Sequence, residues 1–162
     1  SIHTGKIMDL SLSAWKTNFK ANLDAVFLTT KTVLPWMIKA KQGSIVNIAS
    51  VVGLKGVAYM SAYGAAKAGL INFSRATAIE AAPHVRVNCV IPGAVLTKAT
   101  ERAIPDESMM QATIESIPLK RIADPIELAQ PIAFFLSHDS SFITGASLVV
   151  DGGKTADLNA GH

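Results

Sequence analysis

The stretch Ser44-Ile-Val-Asn-Ile-Ala-Ser50 decides the fold. It is short and largely apolar, it follows Gly43, and it leads into a loop that contains Gly53 and Gly56. A run of this length between glycines predicts a strand that is buried on both faces of a parallel sheet. Two further strands are predicted, one over residues 85–91, which Pro92-Gly93 closes, and one over residues 146–150.

Helices are predicted between and before these strands. Their expected ranges are residues 11 or 13 to 41, residues 61–82, and residues 124–137. Ser11 or Ser13 caps the first helix, and Pro35 is expected to bend it or to end its regular part. Asp124 caps the last helix, with Pro125 in its first turn.

Helices that alternate with strands are typical of an α/β fold with a parallel sheet. With 162 residues, the chain is expected to form a single domain over residues 1–162. Three strands make a narrow sheet, and the strand over residues 44–50 would have an open apolar edge, which is an aggregation hazard. The sequence therefore predicts that neighbouring strands are missing at this edge.

The composition excludes several classes of function. The net charge is +3 and the basic residues are scattered, which argues against a nucleic-acid interface. No apolar run is long enough to span a bilayer, and no signal peptide is predicted. The four histidines lack metal-ligand spacing, so no metal is assigned. The single Cys89 excludes an internal disulfide, is expected to be a buried inert thiol, and fits a reducing compartment, here taken as the cytoplasm.

Tyr63 and Lys67 are four residues apart in the second helix and therefore share a face. An ammonium beside a phenol stabilises the phenolate, so the pKa of Tyr63 is expected to fall toward the working range. Such a tyrosine can exchange a proton with a carbonyl oxygen. The same spacing occurs on many helices, where the lysine is simply exposed to solvent.

Two other polar residues occupy informative positions. Ser50 ends a strand, where its hydroxyl would face the crevice in which open α/β sheets bind ligands, although a turn serine is the simpler interpretation. Asn22 lies inside a helix, where asparagine is unfavourable. It either bonds a water or a freed carbonyl group, or is an ordinary solvated residue.

Together these residues resemble the Asn-Ser-Tyr-Lys tetrad of the short-chain dehydrogenase/reductase family, in its smaller, classical-type members. The resemblance extends over nearly the whole chain, with every segment in the family's order. The segments that carry it are residues 15–27, 43–50, 61–70, 85–93 and 142–153. It implies the C-terminal part of a Rossmann-like doubly wound parallel sheet.

The resemblance also implies roles for individual residues. Tyr63 would be the acid/base, Ser50 would bond the substrate oxygen, and Asn22 would hold a water that links Lys67 to solvent. Lys67 would also lower the pKa of Tyr63 and bind the nicotinamide ribose of NAD or NADP. The remaining cofactor contacts would come from Tyr63 itself and from Pro92, Gly93, Val95 and Thr97.

The pattern departs from the family in one place. The glycine-rich turn that holds the cofactor pyrophosphate is absent from this sequence. We therefore expect that a completing N-terminal segment is needed for full cofactor affinity. A truncated product, a proteolysed chain, one half of a two-chain enzyme and a free-standing fragment with a new role all remain open.

The leading hypothesis is an NAD(P)-dependent oxidoreductase that interconverts a carbonyl and a secondary alcohol. The alternative is a non-catalytic truncated fragment or oligomerisation module derived from the same family. By resemblance, the partners would be a small carbonyl or alcohol substrate and further copies in a homodimer or homotetramer. Residues 51–60 and 94–118 would select the substrate; the apolar side chains in the second segment form either a lid or ordinary helix packing.

Overall fold

The structure is a computed structural model that describes residues 2–98, 100, 104 and 106–157. It contains an α/β arrangement of helices around a parallel sheet, as the sequence predicts. The helices are α1 (Leu12–Phe19), α2 (Ala25–Ala40), α3 (Ser61–Ala81), α4 (Glu107–Glu115) and α5 (Pro125–Leu136). The strands are β1 (Gly43–Ile48), β2 (Val85–Pro92) and β3 (Ser147–Val150).

The described strands form one parallel sheet in the order β1-β2-β3. Ile45 is opposite Val87, and Val90 is opposite Leu148. Because all the strands run in one direction, their carboxyl ends meet at the same edge of the sheet, where ligands bind in open α/β folds. We call this the carboxyl edge.

Strand β2 carries the core, because its side chains pack on both faces of the sheet. Val85 and Val87 contact Ala78 and Ala81 of α3 on one face. Val90 packs with side chains of α5 on the other face. A central strand that is covered on both sides is rich in apolar residues, and the apolar residues of β2, which are interrupted only by Arg86 and Asn88, explain why the sequence pattern identified it.

The first long helix is interrupted by a π-helical turn, Lys20–Asp24, that joins α1 to α2. Ser11 caps α1, and its side chain accepts a hydrogen bond from the Ala14 amide at 3.1 Å, as predicted. Pro35 does not end the helix, because α2 continues to Ala40. The packing of Leu34 and Met37 against the core keeps the helix intact despite the missing proline amide.

The last helix begins as predicted, with a capping box at Asp124 and Pro125 in the first turn. In the segment of residues 94–118, Ile117 is buried and Met110 and Ile114 are half-buried, whereas Met109 is exposed. Ile117 therefore belongs to ordinary packing rather than to a lid. Residues 99, 101–103 and 105 of this segment lie outside the described residues.

Strand β1 is one of the two edge strands of the described sheet, and β3 is the other. A cavity of about 410 Å³ lies between β1 and α2, and it is lined by Val26, Thr29, Val33, Ile45 and Val46 among others. Ile48, at the end of the strand, is 40% exposed. The open apolar edge that the sequence predicted is therefore present in the structure.

Candidate active site

Ser50 lies just beyond β1, at the carboxyl edge. It caps the short 3-10 turn Val51–Gly53, and its Oγ accepts a long hydrogen bond of 3.4 Å from the Val52 amide. The backbone of Ser50 is extended, and the 3-10 turn begins at the next residue. The hydroxyl keeps its own proton free to donate to another oxygen.

Glycines allow the turn after Ser50 to pack closely against α3. A Cβ atom on Gly53 would lie 2.8 Å from the Lys67 carbonyl carbon and 2.9 Å from the Ala68 nitrogen. A Cβ atom on Gly64 would lie 3.0 Å from the Val52 carbonyl oxygen. This close approach fixes the position of Ser50 relative to the first two turns of α3, which carry Tyr63 and Lys67.

Tyr63 is half-buried beside Ser50. Burial raises the pKa of the Tyr63 phenol, and the interaction with the Ser50 side chain opposes this effect without cancelling it. The sequence predicted a lowered pKa, and that prediction is wrong for the described chain. The reason is that desolvation disfavours the phenolate more than the surrounding groups stabilise it.

Lys67 lies close to Tyr63, with its Nζ 5.8 Å from the centre of the tyrosine ring. The same Nζ donates a hydrogen bond of 2.8 Å to the carbonyl oxygen of Ile48. Burial lowers the pKa of Lys67. Cys89 lies beneath this region; it is fully buried, and burial raises the pKa of its thiol, as expected for an inert cysteine.

Asn22 sits in the π-helical turn Lys20–Asp24, which packs on α3. Leu23 of this turn would lie 3.1 Å from a Cβ atom placed on Gly69, two residues beyond Lys67. The Nδ2 group of Asn22 donates a hydrogen bond of 2.9 Å to the carbonyl oxygen of Asn18. Within the described part of the chain, no direct hydrogen bond joins Asn22 to Lys67.

The residues expected to hold the nicotinamide follow β2. Gly93 donates its amide to the Val150 carbonyl at 2.9 Å, and a Cβ atom here would lie 2.8 Å from the Asp151 Cβ. Val95 forms an isolated parallel bridge with Ala123. These contacts place residues 92–95 at the carboxyl edge, next to the end of β3.

Thr97 is exposed beyond this bridge. Its hydroxyl lies 3.1 Å from the Thr100 hydroxyl, and it accepts the Thr100 amide at 3.2 Å. The Thr100 hydroxyl in turn donates to the Val95 carbonyl oxygen at 2.6 Å. Thr97 and Val95, both predicted to bind the carboxamide, are therefore linked through a side chain that the sequence did not single out.

The structure thus brings Ser50, Tyr63 and Lys67 together and places Asn22 on the neighbouring turn. It also adds two groups that the sequence patterns did not identify. One is the carbonyl oxygen of Ile48, which carries no sequence signal. The other is Asn18, whose position four residues before Asn22 could have been noticed from helical spacing.

The described residues contain no group of three or more His, Cys, Asp and Glu side chains that could hold a metal ion. No described helix combines the length and apolar character needed to cross a membrane.

Comparison with known proteins places the chain in a family. A family model described as "Enoyl-(Acyl carrier protein) reductase" matches residues 1–155. Cyclopentanol dehydrogenase of Comamonas testosteroni is 38% identical over 152 residues, which are 93% of this chain and 61% of the relative.

Two solved structures show the same fold at high similarity. One is 4-hydroxyisoleucine dehydrogenase complexed with NADH, with a TM-score of 0.92 and 31% identity over 97% of this chain and 65% of that chain. The other is ElxO with NADP bound, with a TM-score of 0.89 and 27% identity over 97% and 64%. The chain therefore spans less than two thirds of the length of the relatives that it matches here. On the strength of the family match and the shared fold, the chain belongs to the short-chain dehydrogenase/reductase family.

Proposed function

We propose that the chain is the catalytic portion of an NAD(P)-dependent oxidoreductase that interconverts a carbonyl and a secondary alcohol. The observation that carries the proposal is the meeting of Ser50, Tyr63 and Lys67 at the carboxyl edge. A phenol, a hydroxyl and an ammonium converge there on the space that open α/β sheets use for ligands. The nicotinamide, when bound, supplies or accepts the hydride.

Tyr63 is the proposed acid/base. Because burial raises the pKa of its phenol, Tyr63 keeps its proton at neutral pH. A protonated phenol can donate that proton to a carbonyl oxygen, which suits reduction of the carbonyl. In the same site, the Ser50 hydroxyl donates to the substrate oxygen and stabilises the negative charge that develops on it.

Lys67 is proposed to bind the ribose of the nicotinamide half of the cofactor. An ammonium group has three donors, and the Ile48 carbonyl oxygen takes one of them. The remaining donors suit vicinal hydroxyl groups. The exposed Thr97 hydroxyl and the backbone at Val95 suit a carboxamide, and the turn at Pro92 and Gly93 suits the nicotinamide ring, so the groups at this edge fit a nicotinamide riboside.

The choice between NAD and NADP stays open in this proposal. One similar structure is described with NADH and another with NADP bound. The substrate class, a carbonyl or secondary alcohol, is taken from the proposed roles of Tyr63 and Ser50 and from the activity in the name of the cyclopentanol dehydrogenase. Asn22 is proposed to hold the water that links Lys67 to solvent.

A completing segment is part of the proposal. The cavity of about 410 Å³ between β1 and α2 leaves room for another element beside the edge strand. We propose that a further parallel strand pairs with β1 there and carries the missing pyrophosphate site. Residues 1–162 would then be one part of a single Rossmann-like unit rather than an independent domain.

Self-association is also proposed, as a homodimer or homotetramer. A groove of about 570 Å³ between α2 and α3 is lined by apolar side chains that include Phe27, Leu34 and Phe73. Trp36 nearby is 72% exposed. A second apolar surface is formed by exposed side chains of α5 and β3, among them Phe134 and Leu148.

The buried, unpaired Cys89 fits a reducing compartment, and we propose a cytoplasmic location.

The proposal is tested by titrating the purified chain with NADH and with NADPH while following nicotinamide fluorescence, together with its intact mass. We expect weak binding of the chain alone, and a marked gain when a completing N-terminal segment from a family member is supplied in trans. No binding in either case would favour the alternative, an oligomerisation module without catalysis. In that case, sedimentation would still show association through the groove between α2 and α3.

A further inference from the structure

Asn18 is a fully buried polar residue that lies one turn before Asn22. Its side chain forms three hydrogen bonds. Nδ2 donates to the Ala14 carbonyl oxygen at 3.1 Å and to the His3 carbonyl oxygen at 3.0 Å, and Oδ1 accepts the His3 amide at 3.3 Å. The side chain therefore binds both backbone groups of His3, in the way that a neighbouring strand would.

The bonds at His3 anchor one end of a segment outside the helices and strands, residues 2–6, which we call the strap. The other end is held at Gly5, whose amide donates to the Tyr59 carbonyl oxygen at 2.9 Å. Tyr59 lies four residues before Tyr63 and has a φ of 69°, a left-handed conformation that non-glycine residues rarely adopt. The strap thus ties the helix that carries Asn22 to the loop that leads into Tyr63.

Asn18 is also bonded to Asn22 directly. The carbonyl oxygen of Asn18 accepts the Nδ2 group of Asn22 at 2.9 Å, at the start of the π-helical turn. Because its own side chain is fixed by Ala14 and His3, residue 18 presents this carbonyl oxygen in one position. The Nδ2 group of Asn22 is therefore held by the backbone of a residue whose own side chain is fully buried.

We propose that Asn18 is a positioning residue for Asn22, and that it acts through the strap of residues 2–6. The inference rests on the proposed function, since the role of Asn22 as holder of a relay water belongs to it. Asn18 touches neither substrate nor cofactor. Asn18 fixes the position of Asn22 relative to Lys67. Through the strap, it also links Asn22 to the loop before Tyr63.

Two substitutions separate positioning from plain helix stability. Asn18→Ala removes all three side-chain bonds. Asn18→Ser keeps a hydroxyl that can bond the Ala14 carbonyl oxygen, as Thr17 bonds the Ser13 carbonyl oxygen at 2.9 Å, but it is too short to reach the strap. Thr32→Ala, which removes a side-chain hydrogen bond of 2.8 Å to the Leu28 carbonyl oxygen in α2, is the control.

In the active, cofactor-loaded enzyme we expect both Asn18 variants to lose about 10- to 100-fold in kcat. The KM values should stay close to wild type, and the solvent isotope effect on kcat should rise because proton resupply becomes slower. Thr32→Ala should keep the wild-type kcat. A wild-type kcat and isotope effect in Asn18→Ser would overturn the proposal, because the strap would then have no part in positioning.

A second readout needs no activity. In a 15N-labelled chain, the two Nδ2 protons of Asn22 should resonate far apart in the wild type, because one is hydrogen bonded. We expect these resonances to shift in Asn18→Ala and Asn18→Ser, because the residue-18 carbonyl oxygen that accepts from Nδ2 loses its support from the strap, but not in Thr32→Ala. If the Asn22 resonances are unchanged in both Asn18 variants, the positioning proposal is wrong. If only the proposed function is wrong, the wild-type protein will show no cofactor binding and no turnover.

Discussion

Lys67 Nζ lies 2.8 Å from the carbonyl oxygen of Ile48. The N–H group of the following residue, Ala49, donates to the Val90 carbonyl oxygen of β2, so this N–H group points toward the neighbouring strand. Backbone groups of successive residues in a strand point to opposite sides, and the Ile48 carbonyl therefore points to the open side of β1. Lys67 thus satisfies an acceptor at the free edge of the sheet. The same ammonium group is hydrogen bonded to this carbonyl oxygen and lies beside the Tyr63 ring.

The first prediction concerns the ionisation of Tyr63. Because burial raises the pKa of the phenol, we expect Tyr63 in the chain without cofactor to ionise above the ordinary value of about 10. The protonated form is favoured in the folded state, so the contribution of Tyr63 to stability is present below that pH and falls as the pH rises further. The difference in tyrosinate absorbance between wild type and Tyr63→Phe measures this titration. A midpoint below 10 would show that Lys67 dominates after all.

The second prediction concerns the close packing of the turn after Ser50. Gly53→Ala places a Cβ atom 2.8 Å from the backbone of Lys67, so the turn must move away from α3. We expect a loss of about 1–3 kcal/mol in the free energy of unfolding, measured by urea denaturation. Gly56→Ala is the matched control, because its Cβ atom would meet nothing within 4 Å. Equal stability of the two variants would contradict the packing described here.

The third prediction concerns acid stability through the capping box of α5. The Arg121 guanidinium forms two hydrogen bonds of 2.6 Å with the Glu127 carboxylate, and this lowers the pKa of Glu127 from 4.5 to about 2. The folded state therefore favours the carboxylate. The resulting stability is present above the ordinary value and is lost as the pH falls from 4.5 toward 2.

The corresponding experiment compares melting temperatures from pH 6 down to pH 2. Glu127→Gln should melt below wild type at pH 6, and the difference should shrink as the acid limit is approached. Glu107→Gln, at an exposed acidic residue that makes no described ion pair, should follow the wild type throughout. If the difference in melting temperature between wild type and Glu127→Gln does not change with pH, the ion pair with Arg121 is not its cause.

Much of the fold follows from the sequence, because its signals are local. The apolar run of β2, the Ser11 cap and the Asp124 cap each depend on neighbouring residues, and all three appear at the predicted places. The open edge of β1 was also predictable, since an apolar strand with too few neighbours must be unpaired on one side. Of the two outcomes predicted for Pro35, an end to the regular helix does not occur, because packing of α2 against the core outweighs the lost hydrogen bond.

The candidate site was less predictable, because its decisive contacts involve backbone groups and distant residues. Nothing in the sequence marks the Ile48 carbonyl oxygen as the partner of Lys67. The sign of the pKa shift at Tyr63 depends on how deeply the phenol is buried, and a spacing of four residues carries no information on burial. The pairing of Asn18 with His3 spans fifteen residues and has no periodic pattern.

Tyr63 is proposed to transfer a proton as hydride moves between the cofactor and the substrate. This step is tested by measuring deuterium transfer from nicotinamide-deuterated NADH or NADPH to a cyclic ketone, with the chain joined by its completing N-terminal segment and with the Tyr63→Phe variant of the same enzyme. We expect Tyr63→Phe to lose about 10²- to 10⁴-fold in kcat, with little change in cofactor affinity. A Tyr63→Phe variant that transfers deuterium at the wild-type rate would contradict the proposal.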